Sequence, residues 1–436
     1  MTKQQTNKGN IIPIITMFFL FAMIAFVTNL ASPMGSILEA QFPIAQWMGA
    51  LGVFFIFIAY AVMGYPAGAI LEKFGYKKTA LIAISVGFIG VGIQTISGFA
   101  ESFGIYLIGA FISGCSMVLL NTVVNPMLNK LGGGGNRSNQ LLQIGGSFNS
   151  LAGTAVIIFV GILIPSAVDA RISDVFPLMY SALAIFAFAF FVISFAQIPE
   201  DEKKPAEKEE KTQYSPLSFR HFVLGALAIF TYVGVEVATP RMLNMWLINP
   251  YLNPLNIDPA LATTIAGSVV ATYWFLMLVG RLLGAGLAAA ISPKIMLRVL
   301  TASGIVLVLA GMFAPSHVMV NMPVFLGGGE EGFFGLANVP INALFFVLVG
   351  LCTSVMWGSI FTLAVAGLGK YTKKASGIFM IMVCGGGVFP LIQNVILGST
   401  GGTGYLVTYW LIVAGLAYML FYGLAGYKNV NKDIPV

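Results

Sequence analysis

Charged residues are scarce in this sequence of 436 residues, where they make up 9%, against about 25% in soluble domains. Hydrophobic residues make up 58% of the chain, a mixture whose surface suits lipid rather than water. In a soluble protein the net charge of +6 would indicate nucleic-acid binding. Here the basic residues lie in short loops between apolar stretches, so they indicate membrane orientation instead, and no nucleic-acid partner is predicted.

Residues that usually carry chemistry are also scarce. The three cysteines, Cys115, Cys352 and Cys384, fall inside apolar stretches without metal-binding spacing or a disulfide framework, and they are interpreted as small buried residues. The glycine run Gly132–Gly135 has no lysine-serine/threonine signature after it, which argues against a nucleotide site. With no catalytic constellation, the sequence predicts neither an enzyme nor a cofactor.

Long apolar stretches dominate the sequence. A transmembrane helix needs about 20 such residues. By that measure, the predicted helices span residues 12–38, 47–71, 79–98, 103–129, 140–164, 175–197, 219–248, 262–288, 295–315, 339–367, 375–398 and 404–427. The predicted fold is therefore an all-α integral membrane protein of about twelve helices.

One segment, residues 199–218, is dense in charges of both signs and has the composition of a solvated linker. It predicts an N-terminal six-helix bundle over residues 1–198 and a C-terminal bundle over residues 219–436. Two equal apolar halves joined by a polar linker are typical of transporters built from parallel repeats.

Lysine and arginine in short loops predict the orientation. They are Lys73, Lys77, Lys78, Lys130, Arg137, Lys370, Lys373 and Lys374, together with Lys3, Lys8, Lys428 and Lys432 near the termini. The opposite loops carry mainly acidic residues, among them Glu39, Glu101, Glu330 and Glu331. Both termini and the linker are therefore predicted to be cytoplasmic, and a bacterial inner membrane is the expected location.

Ionisable residues inside the predicted spans are rare. Glu236, Arg241 and Arg281 are found in the second half. A charge in lipid costs about 2.5 kcal/mol or more, so such residues normally face a partner or a cavity. Glu236 is predicted to couple transport to protons or to bind substrate. The alternative is a structural ion pair with an arginine, for which Arg241, five positions on, is poorly placed unless Pro240 opens the turn.

Several amides are predicted to line a polar cavity, because amides both donate and accept hydrogen bonds, as a polar solute with hydroxyl groups requires. Asn121 and Asn125 are four residues apart and share a helix face. The full set consists of the amides Asn29, Asn121, Asn125, Gln143 and Asn149 together with the hydroxyl residue Ser32. The alternative for each is a hydrogen bond between helices, worth about 0.6 kcal/mol.

Aromatic residues suited to stacking on the ring of a solute complete the predicted substrate site. They are Tyr232, Tyr273, Trp274 and Trp357. In the eleventh helix Gln393 and Asn394 are adjacent, so at most one points squarely into a cavity, and Gln393 is the predicted one.

The loop after the second helix, GAILEKFGYKK at residues 68–78, suggests a conformational motif whose charges latch to a neighbouring helix end. The residues assigned to it are Gly68, Glu72, Lys73, Gly75, Lys77 and Lys78. A weaker version, GRLLGAGLAAAISPK at 280–294, places Arg281 in the charged position of the second half.

These motifs resemble the major facilitator superfamily. A narrower resemblance is to its fucose–galactose–glucose:proton symporter family, carried in order by NTVVNPMLNKLGGGG (121–135), GSFNSLAG (146–153), YVGVEV (232–237), SIFTLAVAGLGKYTKKASG (359–377) and GGGVFPLIQ (385–393). The resemblance implies a twelve-helix fold and alternating access. It also implies a monosaccharide substrate, either a hexose, a deoxyhexose or an amino sugar, with Asn149 at a sugar-binding position.

The chain departs from this family at two positions. The acids that serve proton coupling and sugar binding in helices 1 and 4 correspond to Ser32 and Asn121, neither of which can titrate. A proton-coupled symporter working as a monomer in lipid, with Glu236 as the coupling acid, is the leading hypothesis. A sugar facilitator, a sodium-coupled symporter, a drug exporter and a non-transporting solute sensor are the alternatives.

Overall fold

The structure, a computed structural model, describes residues 11–30, 34–42, 44, 48, 51–163, 171–200, 214–252, 259–329, 332–401, 403–431 and 433–435. The chain divides into two compact units. The first comprises Met1–Ser218, Gly367–Ile381 and Ile434–Val436, and the second comprises Phe219–Ala366 and Met382–Asp433. The segment Gly367–Ile381, which the sequence-based division placed in the C-terminal bundle, is thus part of the first unit.

Both units are helical. In chain order the helices are α1 Ile11–Leu30, α2 Met34–Gln41, α3 Leu51–Phe99, α4 Phe103–Gly132, α5 Gly135–Leu163, α6 Phe176–Phe195, α7 Arg220–Trp246, α8 Pro259–Leu287, α9 Pro293–Phe313, α10 Ile341–Thr353, α11 Met356–Ala364, α12 Thr372–Ile381, α13 Gly385–Ser399 and α14 Tyr409–Phe421. Short 3₁₀ turns lie at Ile172–Val175, Pro216–Ser218, Gly369–Tyr371, Met382–Cys384 and Leu406–Thr408, and π turns at Leu247–Leu252 and Tyr422–Gly426.

Helix α3 contains two consecutive spans. Its 49 residues would extend roughly 74 Å at 1.5 Å per residue, more than twice the hydrocarbon thickness of a bilayer. Gly75 interrupts it with a φ of 80°, outside the helical region. Glycine suits this position because a β-carbon would strain a positive φ.

Ten stretches of the described residues are long and apolar enough to cross a membrane. One of them is α3, which holds two spans, and α5, with 29 residues, has the length of a further span. Ten stretches plus these two additions make twelve. The prediction of an all-α membrane fold with about twelve helices is confirmed.

Two of the predicted spans are interrupted. The tenth, predicted over 339–367, ends as α10 at Thr353 and resumes as α11 at Met356. The eleventh, predicted over 375–398, is divided into α12 and α13 by the 3₁₀ turn Met382–Cys384. Interruptions of this kind take backbone groups out of the helical ladder, so other groups must satisfy them.

The connection between α9 and α10 forms a β-hairpin that the sequence did not predict. Strands β1, Met319–Gly329, and β2, Gly332–Pro340, pair antiparallel. A hairpin by itself is marginally stable, so it needs packing. Met322 and Val324 on β1 are buried, and β1 contacts α8. Glu330 and Glu331, predicted for this loop, lie outside the described residues.

Prolines inside the helices remove single hydrogen bonds without ending the helices. Pro66, Pro126 and Pro240 lie within α3, α4 and α7, which continue past them. Since proline has no N–H, the carbonyl four residues earlier loses its donor. For Pro126 this is the carbonyl of Thr122, which accepts instead from Ser376 Oγ on α12 at 3.2 Å.

Candidate functional site

An ion pair between α7 and α8 is the centre of the candidate site in the second unit. Glu236 Oε1 accepts a hydrogen bond from Arg281 Nη2 at 3.2 Å and another from Tyr232 OH at 2.8 Å. The two charged side chains are only 14% and 12% exposed. Within the part of the chain that the structure describes, no three His, Cys, Asp or Glu residues are grouped so as to hold a metal ion.

Sequence spacing on α7 builds one side of this cluster. Tyr232 and Glu236 are four residues apart and therefore share a helix face. Pro240 lies four residues further and leaves the Glu236 carbonyl without its helical donor. Tyr273 OH from α8 donates to that carbonyl at 3.3 Å and lies 3.1 Å from Thr353 Oγ1. Because Pro240 leaves the Glu236 carbonyl free of a helical donor, that carbonyl can hold the Tyr273 hydroxyl.

The interruption between α10 and α11 builds the other side. Arg281 Nε donates to the Ser354 carbonyl at 3.3 Å, at the point where the helix is broken. The guanidinium is therefore held by a charged acceptor and by a neutral one. If Glu236 loses its charge, the Ser354 carbonyl still accepts from Arg281, so α8 keeps its contact with the break between α10 and α11.

Aromatic rings adjoin the ion pair. The ring of Trp357 lies 6.2 Å from that of Tyr232, between centroids, at an angle of 58°. Tyr273 is fully buried, whereas its neighbour Trp274 is 36% exposed, with the two rings nearly perpendicular. The structure therefore brings Tyr232, Tyr273 and Trp357 to the cluster and places Trp274 on the exposed side of α8.

In the first unit, the predicted amides of α4 are hydrogen-bonded to one another and to α3. Asn121 Nδ2 donates to Tyr60 OH at 2.9 Å, and Asn125 Nδ2 donates to the Asn121 carbonyl at 2.8 Å. Asn125 is fully buried, whereas Asn121 is partly exposed. Asn121 is thus the more accessible of the two.

The amides of α5 have separate partners. Asn149 Nδ2 donates to the carbonyl of Phe21 on α1 at 3.1 Å, which ties these two helices together. Gln143 is buried and its Nε2 donates to Asn139 Oδ1 at 3.2 Å. The side chain of Asn29 and the whole of Ser32 lie outside the described residues.

Residues Gln393 and Asn394 of α13 point in different directions. Gln393 is fully buried, with its Nε2 3.5 Å from Thr408 Oγ1. Asn394 is exposed, and its Oδ1 accepts a hydrogen bond from Arg241 Nη1 at 3.1 Å. Of the two, Asn394 has the accessible amide.

The turn at Gly75 is closed by an acid from the end of the first bundle. Glu200 accepts hydrogen bonds from the backbone N–H groups of Tyr76, at 2.9 Å, and Lys77, at 2.7 Å. Lys77 Nζ in turn donates to the Ser194 carbonyl at 2.8 Å. One carboxylate therefore satisfies two N–H groups at the start of the helix that follows the turn.

We expect Glu200→Gln to destabilise the first unit, because a glutamine amide nitrogen would face an N–H group that now donates to a carboxylate oxygen. The expected loss is about 1 kcal/mol, because the Glu200 side chain is exposed and water can replace part of the lost acceptor. Thermal denaturation of the purified protein in detergent measures it, with Glu101→Gln, an exposed acid, as the control. Equal melting temperatures for the two variants would contradict the role assigned to Glu200.

The predicted latch residue Glu72 has its partner on α12. Its Oε2 lies 3.3 Å from Lys374 Nζ, with both side chains substantially exposed. Beside this pair the backbones touch: a β-carbon on Gly377 would lie 2.5 Å from the Gly64 carbonyl oxygen and 2.6 Å from Gly68 Cα. The contact is therefore set by glycine packing, and the exposed ion pair adds about 1 kcal/mol or less.

The remaining residues assigned to the motif are placed differently. Lys73 Nζ lies 5.4 Å from the ring of its neighbour Phe74, and Lys78 is exposed. Arg281, which the sequence assigned to a repeated motif, instead forms the ion pair with Glu236. The sequence singled out none of Tyr60, Ser354 and Glu200.

Comparisons with known proteins agree with this architecture. The family model for the Major Facilitator Superfamily matches residues 14–391. A putative glucose/galactose transporter of Helicobacter pylori is 30% identical, over 95% of this chain and 96% of its own length. A glucose/galactose transporter of Brucella abortus is 28% identical, over 98% and 97%. The crystal structure of the E. coli fucose:proton symporter, 18% identical, has a TM-score of 0.78 and covers 95% of this chain and 98% of its own. The resemblance predicted from the motifs is confirmed, and the chain belongs to the Major Facilitator Superfamily.

Proposed function

We propose that this protein carries a monosaccharide across a bacterial inner membrane by alternating access, driven by protons. Sugar transport is supported by the relatives that align over nearly the whole chain and are named glucose/galactose transporters. We place both termini in the cytoplasm on the distribution of lysine and arginine. The protein is proposed to act as a monomer in lipid.

The observation that carries proton coupling is the Glu236–Arg281 pair. Glu236 has Arg281 and Tyr232 on one carboxylate oxygen, inside an apolar helix. Protonation would remove the charge that attracts Arg281, while the Ser354 carbonyl would still accept from the guanidinium. The pair is thus a two-state element whose equilibrium a proton can shift. In this proposal Glu236 takes over the coupling role that acidic residues have in the family, because this chain carries Ser32 and Asn121 at those two positions.

Substrate contacts are proposed for accessible polar groups and for nearby aromatic rings. Asn121 and Asn149 offer partly exposed amides in the first unit. Trp357 beside Tyr232 offers an aromatic face in the second, where apolar faces of sugar rings pack well. The buried amides Asn125 and Gln143 are assigned to helix packing.

Uptake into proteoliposomes tests the function. Purified protein would be offered labelled hexoses, deoxyhexoses, amino sugars and hexuronates, with and without a proton gradient and, separately, a sodium gradient. Saturable uptake of at least one monosaccharide, concentrated by the proton gradient alone, is the expected result. A complete lack of saturable uptake across the panel would overturn the proposal, and accumulation driven by sodium alone would reject proton coupling.

We expect Glu236→Gln to abolish gradient-driven accumulation while leaving sugar exchange intact. Glutamine retains an oxygen that can accept from Arg281 and Tyr232, but it cannot exchange a proton. Accumulation and counterflow would be measured on the same vesicles, with Glu101→Gln as a control for an acid outside the cluster. Proton-driven accumulation at the wild-type level in Glu236→Gln would reject Glu236 as the coupling acid.

A further inference from the structure

A second intramembrane arginine, Arg241, has an uncharged partner. It lies on α7, five residues after Glu236, and its Nη1 donates to Asn394 Oδ1 on α13 at 3.1 Å. Among the residues that the structure describes, this amide is its hydrogen-bond partner. The carboxylate of Glu236 is already engaged by Arg281 and Tyr232.

The charges in this part of the protein do not balance. Away from their ends, helices α7 and α8 hold Glu236, Arg241 and Arg281, that is, one negative and two positive groups, a net charge of +1. A guanidinium at the centre of a membrane helix costs about 2.5–3.5 kcal/mol, and the cost is lower near a helix end, where Arg241 lies five residues before the last residue of α7. Charged groups in such helices face a partner or a path filled with water. Arg241 therefore favours an anion as its further partner.

The geometry leaves this guanidinium room for a ligand. A guanidinium carries five N–H donors, and Asn394 accepts from one of its nitrogens. Arg241 is partly exposed and Asn394 is exposed, so neither is sealed inside the helix bundle. A carboxylate accepts two parallel N–H bonds from arginine, whereas a neutral hydroxyl offers no opposite charge. The Asn394 oxygen holds the guanidinium in place, and its amide nitrogen remains a donor for a neighbouring hydroxyl.

We propose that the transported monosaccharide carries a carboxylate, as hexuronates do, and that Arg241 binds this group while Asn394 positions the guanidinium. The inference rests on the proposed function and narrows it from monosaccharides in general to acidic ones. It also separates two roles on α7: Glu236 responds to protons, and Arg241 recognises the substrate.

Exchange in proteoliposomes tests the substrate class. Glucuronate and galacturonate would be compared with glucose, galactose and fucose as competitors and as transported solutes. The expected result is half-saturation by a hexuronate at a concentration at least about tenfold below that of the neutral sugars, since a charge-assisted bond distinguishes them. Transport of neutral sugars without hexuronates would overturn this inference and leave the proposed function standing. Transport of neither class would overturn both.

Two variants test the residue. Arg241→Gln is expected to weaken hexuronate binding about 10- to 100-fold, and Arg241→Lys, which keeps the charge, to weaken it less. Arg220→Gln is the matched control, because Arg220 begins the same helix with an exposed side chain. Hexuronate binding by Arg241→Gln equal to that of the control would overturn the assignment.

Discussion

Replacing Arg281 with glutamine is expected to lower the free energy of unfolding by about 3–5 kcal/mol, the cost of leaving one member of a buried ion pair without its partner. The Glu236 carboxylate would keep the Tyr232 hydroxyl but lose the guanidinium, in surroundings that leave it only 14% exposed. Helix α8 would also lose its contact with the Ser354 carbonyl. Transport should be lost together with stability.

The double variant Glu236→Gln/Arg281→Gln separates the two effects. It leaves no isolated charge, so we expect it to recover most of the stability lost by Arg281→Gln, although it still cannot accumulate sugar. Thermal denaturation in detergent and gradient-driven uptake would be measured for Glu236→Gln, Arg281→Gln and the double variant. Arg298→Gln is the matched control, because Arg298 Nε donates to the Gly423 carbonyl without a described carboxylate partner, and its loss should cost about 1 kcal/mol. A loss in Arg281→Gln no larger than in this control would show that the ion pair does not stabilise the fold.

Adding one methyl group at Gly377 is expected to reduce the transport rate by about tenfold or more. The β-carbon of alanine would lie 2.5 Å from the Gly64 carbonyl oxygen, and a backbone atom cannot rotate away as a side chain can. Overpacking of this kind costs typically 1–3 kcal/mol, which shifts a conformational equilibrium by about 5- to 150-fold. The state with α12 packed against α3 should become rare, so the transport cycle should slow while the protein still folds.

Gly92→Ala is the matched control for this variant. Both glycines are helical, so alanine gains a similar helix propensity of about 1 kcal/mol at either site, but a β-carbon at Gly92 would have no atom within 4 Å. Uptake rates and equilibrium sugar binding would be compared, with binding retained in both variants. Equal rates for Gly377→Ala and Gly92→Ala would show that this close contact is not part of the cycle.

The sequence predicted the membrane fold because hydropathy and length dictate it. Apolar stretches of about 20 residues can satisfy their backbone groups only as helices, whatever their neighbours are. The rarity of charge in the spans also identified Glu236, since a carboxylate inside the membrane is costly unless it faces a partner or a cavity filled with water. Its partner was not identified, because Arg281 lies 45 residues away on another helix and only the packing of α7 against α8 brings the two together.

Other features of the fold depend on tertiary contacts, which the periodicity of hydrophobic residues in the sequence does not reveal. The sequence placed Gln393 toward a cavity, but adjacent helical positions differ by about 100°, and only packing decides that Gln393 faces Thr408 while Asn394 meets Arg241. The break at Ser354 has no proline or glycine to indicate it. The hairpin of β1 and β2 was missed because residues 319–340 mix apolar and glycine residues without regular alternation.

The hairpin of β1 and β2 offers a site for a fluorescent label that reports conformational changes during transport. Its base is tied to α10 by a hydrogen bond from the Ile341 N–H to the Val318 carbonyl at 2.9 Å, and β1 contacts α8. Leu336 on β2 is 71% exposed, so a fluorophore attached at Leu336→Cys would be accessible without disturbing the packed strand. Because the strands are joined to these helices, the dye would report displacement of the helices during turnover rather than local motion confined to the hairpin.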